Sequence, residues 1–542
     1  MLVVCAALTS VHSSREANRR APLPAIREAR FAIGVSKVYA RLKLTQGIST
    51  LGQLAGEASE KQQRRWAAVH GQVGQDLYEL CASLGGAYVK VGQFFATRPD
   101  IVPEEWCNRL GVLCDAVDPM PGETARSIAM EELHRAGQAR GVLREWNDVP
   151  LGSASVAQVH AAVLEPAPAS SNRWWALWAA RRPLAQRVAV KVLRPEAEMY
   201  FARDLAAVRH AAAFVQRFEL SIDLLSCIEE LRDRVDLELD LRVELRHLKD
   251  SGSHLRYATD GVIVAPKAFF GTQRCLITEL CDATPVSKLA RLSGMPPSTP
   301  KQAAAEPSTR PANLPQETGL SENLRLEKAR ALRRGVREIY AAYGQMVLCS
   351  STFHADPHPG NFLIPNNYRR ALLLTNLRQV VPHPLRQLLP QAPPLLYLVD
   401  WGQCGGPTPA ARRKQLASLV LELAAADGRP FRHQPERAAR VSSAVRALGV
   451  ELGPKGDVVE QAELARGMFD LYGEVELHDG IEFDNGSIDV LPKDLFLVLK
   501  VAQMLSGLGR AAEKSGAAGV GRLSLAWLPY AKQAIADAPA DR

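Results

Sequence analysis

The amino-acid sequence predicts an α+β fold with two lobes, a small β-rich lobe that holds one long helix and a larger lobe that is mostly helical. Apolar residues recur at helical spacing from about Leu51 to Asp148, and short β-branched runs such as Val188–Leu193 follow. From Thr408 to Tyr530 the pattern is again mostly helical. This order of segments favours a two-lobed domain preceded by a helical extension.

Composition divides the chain further. We assign residues 1–50 to a transit peptide or disordered terminus, 51–148 to the extension, 149–283 to the small lobe, 326–530 to the helical lobe and 531–542 to a tail. Three stretches rich in Pro, Ala, Ser or Thr are predicted inserts, at 165–186, 284–325 and 366–394. The long helix is predicted from about Asp223 to Lys249, with one apolar stripe formed by Leu237, Leu241, Leu245 and Leu248.

Bulk composition excludes several classes of protein. The net charge of +8 is modest for 542 residues, and no basic patch interleaved with aromatics occurs, so we expect no nucleic-acid partner. Nine cysteines without a CxxC spacing indicate a reducing compartment rather than a disulfide framework. No uncharged apolar run reaches about eighteen residues. Leu495–Leu508, which Lys500 interrupts, is therefore predicted to be a buried helix, and no transmembrane helix is expected.

The N-terminus has a composition of its own. Residues 1–43 contain eight Arg or Lys and only two acids, Glu16 and Glu28. An Arg-rich, acid-poor start is typical of transit peptides, which would indicate a plastid or mitochondrial protein. An ordinary disordered terminus has the same composition, and the sequence leaves both alternatives open.

The densest motif is His354-Ala-Asp-Pro-His-Pro-Gly-Asn361. Asp356 and Asn361 have the spacing of the protein-kinase catalytic loop, where the Asp orients the proton of the attacking hydroxyl and the Asn binds magnesium. One alternative is a proline-rich turn with polar caps, and another is a zinc site formed by His354, Asp356 and His358. The two prolines exclude the helix on which such zinc ligands usually share a face, so we prefer the kinase interpretation.

Two further motifs follow the order found in kinases. The apolar strand Leu395–Val399 leads into Asp400-Trp401-Gly402, which has the form of the kinase D-F-G, whose Asp binds magnesium. Upstream, Lys191 lies in the apolar strand and is the candidate for phosphate binding. A buried ammonium needs a negative partner, and Glu244 on the long helix is the natural one. The alternatives are that Asp400 is only a turn residue and that Lys191 reaches solvent.

A loop of small residues lies where a phosphate-covering loop is expected. Gly152, Ser153, Ala154 and Ser155 lack the G-x-G-x-x-G pattern, but small side chains let backbone N–H groups approach phosphate. We place these four residues with Lys191 in the nucleotide site, together with Glu279, which follows the strand Cys275–Thr278. The motifs predict that this site binds a nucleotide together with Mg²⁺.

These motifs together resemble the UbiB/ADCK family of atypical kinases, over about Leu84–Arg510. Lys90-Val-Gly-Gln93 is similar to the family's KxGQ motif and Glu238-Leu-Asp240 to its ExD motif. The resemblance implies that the extension is a KxGQ segment that packs over the peptide site of a protein kinase, and that Lys90, Gln93, Glu238 and Asp240 regulate the site. Lys90 could pair with either carboxylate. Because Glu238 and Asp240 are two residues apart, a regular helix would not direct both to one point, so a local irregularity or a division of roles is expected.

The resemblance also implies an activity. It predicts an ATPase or atypical phosphotransferase linked to isoprenoid-quinone lipid metabolism, with ATP or ADP and quinone-precursor lipids or a membrane surface as partners. Gly152 stands where the family commonly has Ala, which implies either looser nucleotide selectivity or more kinase-like behaviour. Two alternatives remain, a nucleotide-gated lipid- or partner-binding chaperone with incidental ATPase activity, and a small-molecule kinase, against which the KxGQ and ExD motifs argue.

Overall fold

The computed structural model divides the chain into two units. The first comprises residues 1–118, 154–156 and 193–233, and the second comprises 119–153, 157–192 and 234–542. The residues that the structure describes are 24–96, 102–114, 119–137, 141–165, 185–218, 224–286, 322–381, 385, 390, 392–406, 408–426, 429–452, 457–470, 488–490, 492–514 and 519–537.

Helices dominate both units. In chain order they are α1 (Pro24–Leu54), α2 (Ser59–Leu84), α3 (Ala87–Ala96), α4 (Glu104–Leu110), α5 (Gly122–Arg135), α6 (Pro195–Phe218), α7 (Leu224–Glu238), α8 (Leu241–Ala258), α9 (Glu322–Cys349), α10 (Tyr368–Val380), α11 (Ala410–Ala424), α12 (Pro435–Ala447), α13 (Val458–Phe469), α14 (Lys493–Lys514) and α15 (Leu523–Ala536). Short 3₁₀ helices lie at Gly111–Cys114 and Phe431–His433.

The strands are short and mostly antiparallel. They are β1 (Val142–Arg144), β2 (Gly152–Ser153), β3 (Ala157–Glu165), β4 (Gln186–Leu193), β5 (Ile263–Val264), β6 (Ala268–Gly271), β7 (Cys275–Glu279), β8 (Ala283–Pro285), β9 (Phe353–His354), β10 (Phe362–Pro365), β11 (Leu396–Leu398), β12 (Cys404–Gly405), β13 (Glu451–Leu452) and β14 (Ile488–Val490). One sheet has the order β1-β3-β4-β7-β6 with β2 beside β3, and a second has the order β5-β11-β10-β8. Two strand pairs, β9 with β12 and β13 with β14, complete the set.

The first unit is built around α1, α2, α3, α4 and α6. Helix α1 packs on α2 and α6 through a stripe that includes Phe31 and Val38. On the same stripe the Arg27 guanidinium is buried, with Nη2 2.5 Å from Asp204 Oδ2 and Nη1 2.5 Å from the Leu84 carbonyl oxygen. The structure thus differs from the predicted boundary at residue 50, because an Arg-rich composition concealed a helix with a packed face. Residues 1–23 lie outside the described part.

The KxGQ segment forms α3, which packs tightly on α2, α4 and the following 3₁₀ turn. A Cβ atom at Gly92 would lie 2.3 Å from Leu113 Cδ1 and 3.4 Å from Cys81 Sγ. Only a glycine permits so close an approach of these helices. The side-chain amide of Gln93 donates to the Leu113 carbonyl oxygen at 3.0 Å. The third and fourth residues of the motif therefore have packing roles within the first unit.

The small lobe in the second unit is the six-stranded sheet with α5 on one face. In β4, Val188, Val190 and Val192 alternate with residues of the other face, as a strand pattern requires. The three valines are buried against α5 and the neighbouring strand β7 in one apolar cluster. The alternation places Lys191 on the face away from α5. This outcome agrees with the strand predicted at Val188–Leu193.

The long helix of this lobe is interrupted. Helix α7 ends at Glu238 and α8 begins at Leu241, and the Arg242 backbone N–H donates to Asp240 Oδ1 at 3.0 Å. Asp is a favoured N-cap residue, so Asp240 starts a new helix. The prediction of one continuous helix from Asp223 to Lys249 is therefore wrong, and Leu237 of its supposed apolar stripe is exposed.

The helical lobe packs α9, α11, α14 and α15 against one another. The buried indole N–H of Trp527 donates to the Tyr340 carbonyl oxygen at 2.9 Å, and a Cβ atom at Gly344 would lie 2.7 Å from the same indole ring. Within the predicted insert 366–394, the structure has helix α10. Most residues of the other two inserts, 166–184 and 287–321, lie outside the described residues, and α15 continues into the predicted tail as far as Ala536.

Helix α14 is the one helix in the described ranges whose length and composition would allow it to cross a membrane. The segment is Asp494–Glu513, with a mean hydropathy of 1.3, and half of its window is buried by the rest of the protein. Val498, Val501 and Leu505 are fully buried, and α14 packs on α9 and α13. Core helices meet the same criterion, and the predicted buried helix at Leu495–Leu508 is confirmed.

Candidate nucleotide and metal site

The ammonium group of Lys191 joins two carboxylates from distant parts of the chain. Lys191 Nζ donates to Glu244 Oε2 at 2.7 Å and to Asp400 Oδ1 at 2.6 Å. Strand β4 carries the lysine on the side that faces α8, Glu244 lies in the first turn of α8, and Asp400 follows the end of β11. Without the lysine, Glu244 would be buried and unpaired. The structure therefore brings together the three charged residues that the sequence analysis assigned to one site.

The two carboxylates differ in their exposure to solvent. The side chain of Glu244 is 6% exposed, whereas that of Asp400 is 50% exposed. Burial raises the pKa of Glu244, and the positive charge of Lys191 offsets part of that effect. Burial alone would lower the pKa of Lys191, but Asp400 and Glu244 outweigh it and hold that pKa above its usual range. Lys191 is therefore a permanent cation, fixed on Glu244 and accessible beside Asp400.

The Asp-Trp-Gly motif is held in an uncommon backbone conformation. Asp400 has φ of 60°, in the left-handed region that Asp tolerates better than most residues. The Trp401 indole is fully buried, and its N–H donates to the Leu398 carbonyl oxygen at 2.9 Å. A ring nitrogen of His247 on α8, Nδ1, lies 2.9 Å from the Trp401 carbonyl oxygen and donates to it. Trp401 therefore anchors the segment, while the carboxylate of Asp400 binds Lys191 and remains half exposed to solvent.

The predicted catalytic loop forms a compact turn. The side-chain amide of Asn361 donates to the Asp356 carbonyl oxygen at 3.0 Å and to Asp356 Oδ2 at 2.9 Å. Both N–H groups of the Asn361 side-chain amide thus bind Asp356, and the side-chain carbonyl oxygen of Asn361 is the atom that could bind a cation. Val399 N–H donates to the Asn361 backbone carbonyl at 2.9 Å, beside the Phe362–Leu398 pair of β10 and β11. Asn361 and Asp400 therefore lie at the same end of the adjacent strands β10 and β11.

His354 joins the catalytic loop to the metal motif. Its Nε2 lies 2.9 Å from the Asp400 carbonyl oxygen and donates to it, while Nδ1 accepts from the Tyr343 hydroxyl at 2.9 Å. Burial lowers the pKa of His354, which keeps the ring neutral. Both nitrogens are engaged, and among the described residues no group of three His, Cys, Asp or Glu side chains is arranged to hold a metal. These findings oppose the zinc alternative for His354, Asp356 and His358.

The loop of small residues assigned to the nucleotide begins in the sheet. Gly152 and Ser153 form β2, opposite Val159 and Gln158, and open space surrounds the position where Gly152 would carry a Cβ. Ser155 is buried, and the Ala154 carbonyl oxygen accepts from Arg194 Nε at 3.0 Å. These are the positions whose backbone N–H groups were assigned to phosphate.

Glu279 is not brought to the lysine ion pair. The register of β4 with β7 pairs Glu279 with Val188, whose side chain faces α5, and pairs Lys191 with Leu276. Directly opposed residues share a face of the sheet, so the Glu279 side chain lies on the face away from Lys191. Its Oε2 accepts from the Lys267 backbone N–H at 3.2 Å. A contact of Glu279 with a nucleotide would therefore involve its backbone.

The four residues assigned to regulation have separate surroundings. Lys90 and Gln93 lie on α3 of the first unit. In the second unit, Glu238 Oε1 accepts from the Gln403 amide at 2.8 Å, and Asp240 binds Arg242. Hydrogen bonding to Arg242 lowers the pKa of Asp240. The two carboxylates of the ExD motif thus have different hydrogen-bond partners, and the break between α7 and α8 is the local irregularity that their spacing predicted.

Gln403 belongs to this region although no sequence motif singled it out. Its backbone carbonyl accepts from the Ala355 N–H at 2.9 Å, next to Asp356, and its side chain lies between Glu238 and Lys500 of α14, the latter at 3.5 Å. Gln403 therefore connects the ExD motif, the catalytic loop and the helical lobe. Its position directly after Gly402 was the signal that could have revealed it.

The protein-kinase-like class of fold is defined by a small antiparallel sheet with an ion-paired strand lysine, a helix glutamate, a loop with Asp and Asn, and an Asp at the end of a strand. Comparison with known proteins narrows this class. The ABC1 atypical kinase-like domain matches residues 112–170 and 176–432, more than half of the chain. The chain belongs to this family of atypical kinase-like proteins, the UbiB/ADCK family predicted from its motifs.

Individual relatives are distant. An uncharacterised protein from Synechocystis sp. is 25% identical over 361 residues, 65% of this chain and 74% of that protein. A probable protein kinase UbiB from Cellvibrio japonicus is 28% identical over 306 residues, and one from Shewanella pealeana is 27% identical over 296 residues. The matches cover 55% and 54% of this chain, and the chain spans 45% of the length of each UbiB relative.

A solved structure also matches over most of the chain. It is a protein from Mycobacterium tuberculosis in complex with erythromycin, 17% identical, with a TM-score of 0.44. The match covers 82% of this chain and 94% of that protein.

Proposed function

We propose that the chain binds a nucleoside triphosphate with Mg²⁺ and acts as an ATPase or atypical phosphotransferase. The observation that carries the proposal is the position of Lys191 Nζ, 2.7 Å from the buried Glu244 and 2.6 Å from the half-exposed Asp400. Glu244 fixes the ammonium, and Asp400 occupies the side from which a phosphate oxygen would approach. A lysine that serves only the fold would not need its second carboxylate at the solvent boundary.

Each residue of the site has a role in this proposal. Lys191 binds phosphate oxygens, Glu244 positions Lys191, and Asp400 with the carbonyl oxygen of Asn361 would hold Mg²⁺, whose charge neutralises the phosphates. Asp356 orients the acceptor hydroxyl or water, with its carboxylate held by the Asn361 amide. Positioning and charge neutralisation are the main contributions that a protein makes to phosphoryl transfer. The neutral ring of His354 holds Asp400 and Asp356 in a fixed position relative to each other.

The physiological setting is part of the same proposal. The name UbiB of two relatives and the motif resemblance support a role in ubiquinone or plastoquinone lipid metabolism, with quinone-precursor lipids or a membrane surface as partners. Residues 1–23 contain three arginines and one acid, and this composition supports a location in a plastid or mitochondrion, peripheral to a membrane. The purified chain with labelled ATP, Mg²⁺ and a quinone-precursor lipid would separate the activities. Release of phosphate alone indicates an ATPase, and a labelled lipid or protein indicates a phosphotransferase.

The metal role of Asp400 gives the first prediction. Asp400→Asn keeps the size of the side chain and tolerates the left-handed backbone, but it removes the charge that would bind Mg²⁺. We expect the variant to lose the Mg²⁺-dependent rise in Tm that ATP or ADP produces in the parent protein. Differential scanning fluorimetry with and without Mg²⁺ measures this rise.

Asp260→Asn is the matched control for that experiment. Asp260 is also a left-handed Asp, with φ of 49°, and it is exposed in the turn after α8. The control should keep the full nucleotide-dependent shift. An Asp400→Asn protein that keeps the same shift would refute the assignment of Asp400 to the metal.

A further inference from the structure

Two polar side chains of β3, Gln158 and His160, are fully buried in the small lobe and have no role in the proposed chemistry. Alternation along the strand places them on the same face as Ala162, which belongs to the apolar cluster packed against α5. Lys191 lies on the face away from α5, so the two side chains and the ion pair are on opposite faces of the sheet. Polar groups buried on an apolar face destabilise the fold unless each has a hydrogen-bond partner.

The side-chain amide of Gln158 is completely hydrogen-bonded. Its Oε1 accepts from the Met120 backbone N–H at 2.9 Å, and its Nε2 donates to the Met120 carbonyl oxygen at 3.0 Å. The second N–H group of Nε2 donates to His160 Nε2 at 2.8 Å. The amide thus pairs with the Met120 backbone as a neighbouring strand would, which fixes the positions of its oxygen and nitrogen.

His160 continues this chain of hydrogen bonds to the turn that precedes the loop of small residues. Because its Nε2 accepts from Gln158, the ring carries its proton on Nδ1, which donates to the Asn147 carbonyl oxygen at 2.8 Å. The side-chain oxygen of Asn147, Oδ1, accepts from the Val149 backbone N–H at 3.0 Å. A continuous polar network therefore runs from Met120 through β3 to the turn.

The loop of small residues begins on a very short strand. Strand β2 has only two residues, which pair with Val159 and Gln158 of β3. Strands are usually three residues or longer, so this ladder is a short one. The backbone N–H of Leu151, the last residue of the turn, donates to the Val159 carbonyl oxygen at 2.8 Å. The turn held by His160 therefore adds to the restraint that the short ladder supplies.

We propose that Gln158 and His160 are positioning residues for the start of the loop of small residues. Their hydrogen bonds hold the turn 147–151 on β3, and the turn in turn fixes the backbone of Gly152 and Ser153 where N–H groups can approach phosphate. An apolar pair would fill the same space, but apolar contacts are not directional and would let the turn shift. The inference rests on the proposed function and adds to it two residues behind the sheet.

Hydrogen exchange of the ligand-free, full-length chain tests the positioning directly. His160→Phe keeps the stacking on Trp146, whose ring centroid lies 4.7 Å away, but it removes both hydrogen bonds of the imidazole. We expect amide exchange in residues 147–153 to become about tenfold faster, because the Asn147 carbonyl loses its donor. His160→Asn retains an N–H group near the position of Nδ1, so it should restore most of the protection.

Nucleotide binding supplies the second measurement. If fewer molecules hold the loop in its binding position, the Kd for ATP with Mg²⁺ should rise by up to about tenfold in His160→Phe. The Kd for adenosine, which lacks phosphate, should stay at the parental value. A residue needed only for folding would leave the ratio of the two Kd values unchanged. A parent chain that binds neither ligand would refute the proposed function, and hydrogen exchange would still decide whether His160 holds the turn.

Two further variants complete the experiment. Asn147 is exposed, so Asn147→Ala should fold even if the His160 variant does not, and it should also speed exchange in residues 147–153 and weaken ATP relative to adenosine. Thr272→Val is the matched control, because Thr272 Oγ1 accepts from the Cys275 N–H at 3.1 Å in the β6–β7 turn, at the opposite edge of the same sheet. It should change neither readout. Parental exchange in the His160 and Asn147 variants, or an equal acceleration in Thr272→Val, would overturn the proposal.

Discussion

The Lys191 ammonium is shared between two acids that solvent reaches very differently. Glu244 is buried and shielded from solvent, whereas Asp400 is half exposed and can exchange partners. A phosphate oxygen that enters the site would therefore compete with Asp400 and not with Glu244. The exchange keeps the lysine paired throughout, which avoids the cost of a desolvated, unpaired charge.

His354 makes the stability of the protein depend on pH. Because burial lowers its pKa, the folded state binds a proton less readily than the unfolded state, where the value is near 6.5. Stability should therefore fall as the pH decreases from 6.5 towards the lowered value of the folded state. Each tenfold difference in proton affinity contributes about 1.4 kcal/mol.

The variant His354→Gln tests this dependence. Its amide can still donate to the Asp400 carbonyl oxygen but cannot titrate, so the decline of unfolding free energy in acid should be shallower than in the parent. Denaturant titrations at several pH values measure the slope. His433→Gln, at an exposed position, should keep the parental slope. Identical slopes for the His354 variant and the parent would contradict the interpretation.

At the scale of single elements, the sequence predicted β4 well and the long helix poorly. In Val188–Leu193 the alternation of apolar residues around one lysine is itself the strand signal, and it also specifies which face carries Lys191. In α7 and α8 the periodicity continues across Asp240, and an Asp within a helix cannot be distinguished from an N-cap by pattern alone. The hydrogen-bond partner of Glu238, Gln403, is 165 residues away along the chain and could not be predicted from local sequence.

The close packing of α3 leads to a prediction about the KxGQ glycine. Gly92→Ala places a methyl group against Leu113, which has little room to move in its buried position. Overpacking typically costs about 1–3 kcal/mol, and the higher helix propensity of Ala returns about 0.5–1 kcal/mol of it. We expect a net loss of up to about 2.5 kcal/mol in unfolding free energy, measured by chemical denaturation.

A double-mutant cycle distinguishes this clash from other causes. In the Leu113→Ala background the methyl group added at position 92 has space, so Gly92→Ala should become neutral or slightly stabilising. Equal effects of Gly92→Ala in both backgrounds would show that the glycine is needed for another reason. The prediction concerns packing only and stands apart from the regulatory role proposed for Lys90.

For the whole molecule, the order of the motifs was sufficient to predict the kinase-like fold, but it did not predict where the folded chain begins. The sequence placed Lys191, Glu244 and Asp400 in one site because three weak motifs occurred in the required order. The N-terminal boundary was missed because basic residues dominate 24–43, and the buried partner of Arg27 lies far along the chain at Asp204. Composition reports charge, but it cannot report which charges are buried.

Truncation tests the boundary directly. A chain that begins at Pro24 retains α1 and the ion pair of Arg27 with Asp204, so it should unfold close to the parental Tm. A chain that begins at Gly56 loses α1 and leaves Asp204 buried without its cation, and the loss of one partner of a buried ion pair typically costs about 3–5 kcal/mol. We expect this chain to have a markedly lower Tm or to aggregate, as measured by calorimetry and light scattering. Equal Tm values for the two chains would instead support a folded region that starts after residue 50.

Two histidines restrain successive carbonyl groups of the Asp400–Gly402 segment. His354 binds the carbonyl of Asp400 and His247 binds that of Trp401, whose indole is fully buried. An inhibitor that acts by displacing this segment would have to break both hydrogen bonds and remove the Trp401 indole from its buried position. Drug-like compounds directed at this protein should therefore occupy the proposed nucleotide site, with Lys191 and Asp400 as their polar anchors.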